Sequence, residues 1–156
     1  MKSLQPSSRH CFVCGVENPL GLQLRFYDSE PGEVAAEYTL HENYQGYPGV
    51  AHGGVVAAML DEAAGRSLMG DMVTPRFMFT ARLNVRYRKN VPVGQPLRLV
   101  GKAGESRGRT ATATSTIYDQ AGNILAEAEA LLINVPDQVV QNVDLSELGW
   151  QIYPED

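Results

Sequence analysis

Long apolar runs are missing from this chain. No stretch approaches the ~20 residues that cross a bilayer. The opening Met1-Lys2-Ser3-Leu4-Gln5-Pro6-Ser7-Ser8 has none of the apolar core of a secretory signal. Cysteine is scarce too: two residues, Cys11 and Cys14, do not imply a disulfide-stapled fold. Together these absences lead us to expect a cytoplasmic protein without a membrane partner. Positive charge is in deficit, 13 Lys and Arg against 18 Asp and Glu for a net charge of −5. That balance argues against bulk nucleic-acid binding and leaves room for a small anionic ligand held by a local basic group.

What is present suffices for one domain. The sequence has 156 residues, 44% of them hydrophobic, enough to bury a core. With no repeat and no dividing linker, residues 1–156 read as one domain, with a loose lead-in over 1–21 and a tail over 136–156. The most informative stretch is Gly49-Val50-Ala51-His52-Gly53-Gly54 followed by Val55 to Gly65. It reads as a glycine turn opening into a helix, from about Gly53 to Met69, that is apolar on almost every face. Such a helix is a buried one, yet it carries Asp61 and Glu62, and a buried carboxylate is costly unless something pairs with it or uses it.

Around the helix the pattern is mostly strand. Leu22, Leu24 and Phe26 alternate with polar residues, Asp28 to Gly32 turns, and Val34, Ala36 and Tyr38 alternate again, predicting a hairpin. After the helix, Phe77, Phe79, Ala81, Leu83, Val85 and Tyr87 are expected to face the core. Met78, Thr80, Arg82, Asn84, Arg86 and Arg88 fall on the opposite, polar face. Further strands are expected from Leu97, over Thr110–Tyr118 and over Ile124–Val135, with turns at Val91–Gly94, Gly104–Gly108 and Asp119–Asn123. Short connections favour an antiparallel sheet, against which a single apolar helix must lie. The fold class is therefore α+β, a curled sheet wrapped around one long central helix. The tail is expected to add a short helix and an extended end holding Trp150. Near the N-terminus, His10-Cys11-Phe12-Val13-Cys14-Gly15 offers half of a structural zinc set, because no second CxxC follows. The expectation is two partly buried thiols in a turn and no metal; a metal shared between subunits is the other reading.

The turn into the helix is suited to polarising a carbonyl. The first helical N–H groups lack intrahelical acceptors, the helix dipole adds positive potential, and glycine lets a substrate oxygen approach the backbone. The plainer alternative is that Gly53 and Gly54 merely form a tight turn. Asp61 lies eight positions after Gly53, ~12 Å along the axis, too far to act readily on a carbonyl held by its own Gly53.

A sheet curled about one helix, with Tyr44-Gln45-Gly46-Tyr47-Pro48-Gly49-Val50-Ala51-His52-Gly53-Gly54 and Asp61 nine positions beyond His52, resembles the hotdog-fold acyl-CoA thioesterases of the phenylacetate-pathway (PaaI-type) superfamily. The resemblance extends through Thr80-Ala81-Arg82-Leu83-Asn84-Val85-Arg86-Tyr87. It also takes in Cys11, Cys14-Gly15, Asn18-Pro19 and Gly21-Leu22. It implies hydrolysis of an acyl-CoA to acid and CoA, with no metal or organic cofactor. It implies a homodimer, often a dimer of dimers, in which antiparallel helices set Asp61 of one subunit against His52-Gly53 of the other. A monomer would then be inactive.

Asp61 is implied as nucleophile or as general base for water, Gly53 as carbonyl donor, His52 as a brace of the turn with an acid/base role as its alternative, and Thr80 as a hydroxyl that positions the water. The alternative for Asp61 is a structural acid bonded to a neighbouring strand. Thr80 has the parity of the polar face, so it is expected where that face meets the dimer partner. Gln45 stands one residue before the position where relatives carry a carbonyl-binding amide, here Gly46; Gln45 and Gly54 are candidates for substrate binding. Arg86 and Arg88, with Arg107 and Arg109, are candidates for the CoA phosphates; solvated strand residues would look the same. Glu62 stays unassigned. Two other functions fit a hotdog domain: a non-catalytic acyl-CoA-binding protein, or an enoyl-CoA hydratase/dehydratase. Retention of Asp61 and the absence of a preceding DNA-binding segment speak against the first. The HGG-to-Asp61 spacing speaks against the second.

Overall fold

The computed structural model describes residues 2–155. Its strands are β1 (Ser3–Leu4), β2 (Tyr27–Glu30), β3 (Glu33–Thr39), β4 (Met78–Tyr87), β5 (Pro96–Arg107), β6 (Thr110–Tyr118) and β7 (Ile124–Asn134). The helices are α1 (Gly53–Ser67) and the short α2 (Asp137–Gln141). All seven strands form one antiparallel sheet in the order β1-β2-β3-β5-β6-β7-β4. The chain leaves β3 through α1, which crosses the sheet face, and re-enters at the far edge as β4. The expected α+β architecture is present, with one difference in connectivity. β4 forms no hairpin with β5; it pairs with β7, while β5 is inserted between β3 and β6.

Helix and sheet meet closely because the facing residues are small. Ala63 and Ala64 are fully buried, and a Cβ at Gly101 of β5 would stand 2.1 Å from the Ala63 carbonyl oxygen. Ser115 of β6 donates its hydroxyl to the Leu60 carbonyl at 2.7 Å. Met59, Leu60 and Val56 fill the space between helix and strands, each contributing about 1.5–3 kcal/mol by burial.

Several expectations change at the level of single residues. Leu22, Leu24 and Phe26 are buried alternately as the pattern requires, but the ladder begins only at Tyr27. Gly104 does not turn the chain. β5 runs through it to Arg107, and an irregularity between Ala103 and Ser106, where Glu105 N–H bonds the Thr112 hydroxyl at 3.1 Å, absorbs the extra residue.

The lead-in is not loose. Ser3–Leu4 pairs with β2, Gln5 and Ser7 are 2% exposed, and Ser7 bridges to Gln151 of the tail. Both terminal segments close over α1 around Arg66, itself 2% exposed. Its Nε donates to Glu62 at 2.8 Å and its Nη1 to the Pro6 carbonyl at 2.9 Å, while Phe26 and Trp150 stack against the guanidinium. Removing one partner of such a buried pair costs about 3–5 kcal/mol.

Candidate active site

The site starts where α1 starts. His52 is the N-cap, with φ −59° and ψ 135°, and its Nδ1 accepts the Gly54 N–H at 2.9 Å. The side chain therefore braces the turn, and the Gly54 N–H is consumed within the protein. The Gly53 N–H has no acceptor among the described residues. Neither glycine has positive φ, and a Cβ on Gly53 would meet only the Tyr87 ring and hydroxyl, at 3.5–3.7 Å. The turn itself thus does not demand glycine at 53, and the open space there belongs to whatever approaches the N–H.

Alternation alone assigns Tyr87 to the core. It is instead 52% exposed and donates its hydroxyl to the Gly53 carbonyl at 2.6 Å, clamping β4 to the mouth of the helix. No sequence signal marked it, because a tyrosine at an inward position of a strand reads as core.

Gln45 lies in the preceding loop. It is exposed, and its Oε1 accepts the Gly49 N–H at 3.1 Å, holding the bend that delivers the chain to His52. A cavity of about 300 Å³ is lined by Gly46, Tyr47, Ala51, His52 and Gly53. A second, of about 280 Å³, is also lined by Ala51, together with Val56, Tyr87, Arg88 and Lys89.

Two turns along the helix, Asp61 is half-buried and accepts the Thr80 hydroxyl on Oδ1 at 2.5 Å. Simple alternation placed Thr80 on the face away from the helix. The register shifts between Thr80 and Arg82, so one residue is bulged and the parity reverses. Thr80 turns toward α1 within its own chain, and Phe79 swings out to 53% exposure. Leu83 and Val85 keep the inward side. The expectation that Phe79 and Ala81 face the core fails for this reason.

The basic residues do not gather in one chain. Arg88 pairs with Glu127 at 2.6 Å near the Gly53 end of β4, and Arg86 lies beside them. Arg107, paired with Glu105 at 3.5 Å, and Arg109 flank the turn between β5 and β6. That turn adjoins the other end of β4, since Thr110 and Phe79 both pair with Ile133.

Glu62 points about 100° round the helix from Asp61 and meets different company: Arg66, Cys11 and Cys14. Burial pushes its carboxyl upward, with Arg66 opposing. The Cys11 thiol is lowered to about 6, first by a hydrogen bond from Cys14. Cys14 is raised to about 12 by that same bond and by burial.

These features agree with what the chain is similar to. A thioesterase-superfamily model matches residues 48–126, just over half of the chain, and the protein belongs to that superfamily. The chain is 27% identical over 140 residues to the acyl-coenzyme A thioesterase THEM4 of Rattus norvegicus, covering 88% of this chain and 59% of that one. It thus spans about three-fifths of that relative's length. Among solved structures, the thioesterase superfamily protein RHA08564 aligns with a TM-score of 0.73 at 34% identity, over 80% of this chain and 63% of that one. The E. coli PaaI protein from the phenylacetic acid degradation operon shares the fold, with a TM-score of 0.66 at 12% identity over 74% and 81% of the two chains. The architecture is the hotdog fold.

Proposed function

We propose that the protein is an acyl-CoA thioesterase whose site is assembled twice across a homodimer. The observation that carries this is the separation of two complementary half-sites on one helix: the unpartnered Gly53 N–H at its start, and Asp61 held by Thr80 ~12 Å along it. β4 supplies a way to join them. It is an edge strand of ten residues with its outer side unpaired among the described residues, and such edges are usually covered. An antiparallel pairing of two β4 edges centred near Leu83 and Asn84 would bring Thr80 of each chain opposite the partner's Tyr87. Asp61 would then stand by the partner's Gly53. The same pairing would carry Arg107 and Arg109 toward the partner's Arg86 and Arg88, making one basic group suited to the CoA phosphates.

In this arrangement the thioester carbonyl oxygen takes the Gly53 N–H. Asp61 acts in one of two ways. As base, it takes a proton from the attacking water and passes it to the departing CoA sulfur as the C–S bond breaks. As nucleophile, it attacks the carbonyl carbon itself, expelling CoA thiolate and leaving an acyl–aspartyl anhydride that water then hydrolyses, the water proton going to the thiolate. Both routes consume one water and release the free acid and the CoA thiol. The acyl-CoA substrate also agrees with the activity that THEM4's name states for that relative. No cofactor is needed for this chemistry, and the free thiols Cys11 and Cys14 suit a cytoplasmic location. A dimer of dimers is compatible with the same edge pairing.

Two variants test the reading. Asp61→Asn should abolish thiol release from acyl-CoA while leaving its binding intact. Gly53→Pro removes the N–H and sets ring carbon in its place: proline is favoured at the first helical position, and His52 already has the backbone it requires. It should lower kcat by ~10²–10³ with little change in melting temperature. Undiminished turnover in Asp61→Asn would sink the mechanism. A wild type that binds acyl-CoA without releasing thiol would identify a binding protein, and hydration of an enoyl-CoA a hydratase.

A further inference from the structure

The CxxC segment lacks a second pair in sequence, and the fold supplies a third ligand from the central helix. The sulfurs of Cys11 and Cys14 and a Glu62 carboxylate oxygen lie within 4.8 Å of one another. We propose that Cys11, Cys14 and Glu62 bind a zinc ion, with water in the fourth position, that fastens the N-terminal segment to α1 one residue past Asp61.

The loop is shaped as a thiolate cradle. The backbone N–H groups of Val13 and Cys14 point at Cys11 Sγ at 3.3 and 3.5 Å, donors that stabilise negative charge on sulfur. The Gly15 N–H bonds the Cys11 carbonyl at 2.8 Å, and a Cβ at Gly15 would stand 2.3 Å from that oxygen. Only glycine closes so tight a loop. Cys14 is 2% exposed, whereas Cys11 and the exposed His10 border solvent, leaving the fourth position open on that side.

Charge and hydrogen bonding favour the same occupant. A divalent ion held by all three groups would face two thiolates, one carboxylate and the Arg66 guanidinium, whose net charge of about −2 it offsets. Arg66 Nη2 is buried with no hydrogen-bond partner, and the guanidinium lies near Cys14. A Cys14 thiolate would give that N–H an acceptor. Tetrahedral zinc with Zn–S bonds of ~2.3 Å sets its sulfurs about 3.8 Å apart, within reach of side-chain rotation. Two thiolates select a thiophilic ion over magnesium or calcium.

The test uses the full chain, purified reduced and free of any histidine tag from zinc-supplemented medium. Elemental analysis should find about one zinc per chain. After chelation, cobalt(II) should give thiolate-to-metal charge-transfer absorption that zinc then abolishes. X-ray absorption at the zinc edge should report two sulfurs with nitrogen or oxygen completing the shell. Cys11→Ser, at the half-exposed position where folding is least at risk, should lose the charge-transfer signal at cobalt concentrations that saturate the wild type. Glu62→Gln should weaken binding by at least the ~10-fold that even an outer-shell change costs. No charge-transfer band in the reduced wild type, four sulfurs or none in the shell, or a metal-free protein isolated with a Cys11–Cys14 disulfide would each overturn the proposal. Unchanged affinity in Glu62→Gln would remove Glu62 as a ligand and overturn it as stated. None of these readouts depends on thioester hydrolysis.

Discussion

Asp61 and Glu62 are neighbours on α1, and a rotation of about 100° sends them to different chemistry. Asp61 reaches the open edge of the sheet and a hydroxyl; Glu62 turns under the terminal segments to a guanidinium and two thiols. The spacing from His52 made Asp61 legible in the sequence, because one helix fixes that separation. The surroundings of Glu62 were not legible, since they depend on where residues 5–14 pack. The thiols give a residue-scale prediction in the metal-free, reduced protein. Thiolate is the reactive form, and Cys11 sits at about 6 against an ordinary value of 9.0. Its alkylation by iodoacetamide should therefore rise as pH increases through about 6 and level off above. Cys14, raised to about 12 and buried, should stay unmodified across the neutral range. Peptide mass mapping separates the two, and a Cys11 midpoint near 9.0 would contradict the donor arrangement around its sulfur.

At the scale of elements, β4 decides how the site can be completed. Its alternation over residues 77–87 suggested an uninterrupted strand with one buried face. The bulge at Thr80–Arg82 reverses the first part of that pattern without any proline or glycine to announce it. Ala81, small enough for either face, hides the change. Gly104 misled in the opposite direction, since a glycine inside β5 can mark a bulge as readily as a turn. The strand order is also out of reach of local pattern, because the β3–α1–β4 crossover sends β4 to the far edge.

The outcome is an edge with Phe79 and Tyr87 each about half exposed, apolar surface that an isolated chain would leave in water. Phe79→Lys should leave one chain's fold intact, since substitutions at exposed sites usually change stability by within ~0.5 kcal/mol. A lysine on this edge is nonetheless a known deterrent to strand pairing. The variant should sediment as a monomer with native circular dichroism, and thioester hydrolysis should fall with dimer content. A monomeric variant retaining full turnover would rule out a shared site.

For the molecule as a whole, the central helix, the sheet that holds it and the acid on it follow from residues 22–135 read in order. The packing of both termini over Arg66 does not, because polar, Ser/Pro-rich segments look loose until a buried guanidinium donates to Gln5 and Pro6 of one and packs on Trp150 of the other. What no single chain shows is whether the Gly53 and Asp61 half-sites act on the same substrate. Mixing two inactive variants answers this. In a symmetric dimer each site would draw Gly53 from one subunit and Asp61 from the other. A heterodimer of Gly53→Pro and Asp61→Asn then contains one doubly damaged site and one intact site. If the chains are unfolded together and refolded at equal concentration, about half of the dimers are mixed and each carries one working site of two. Hydrolysis should return to about a quarter of the wild-type rate per chain, although each parent is nearly inactive. Recovery should require refolding together, and it should vanish when Phe79→Lys is added to both chains. Absence of recovery, with mixed dimers demonstrated by mass spectrometry, would place both groups in one subunit's site and require the helix to bend or the substrate to span ~12 Å.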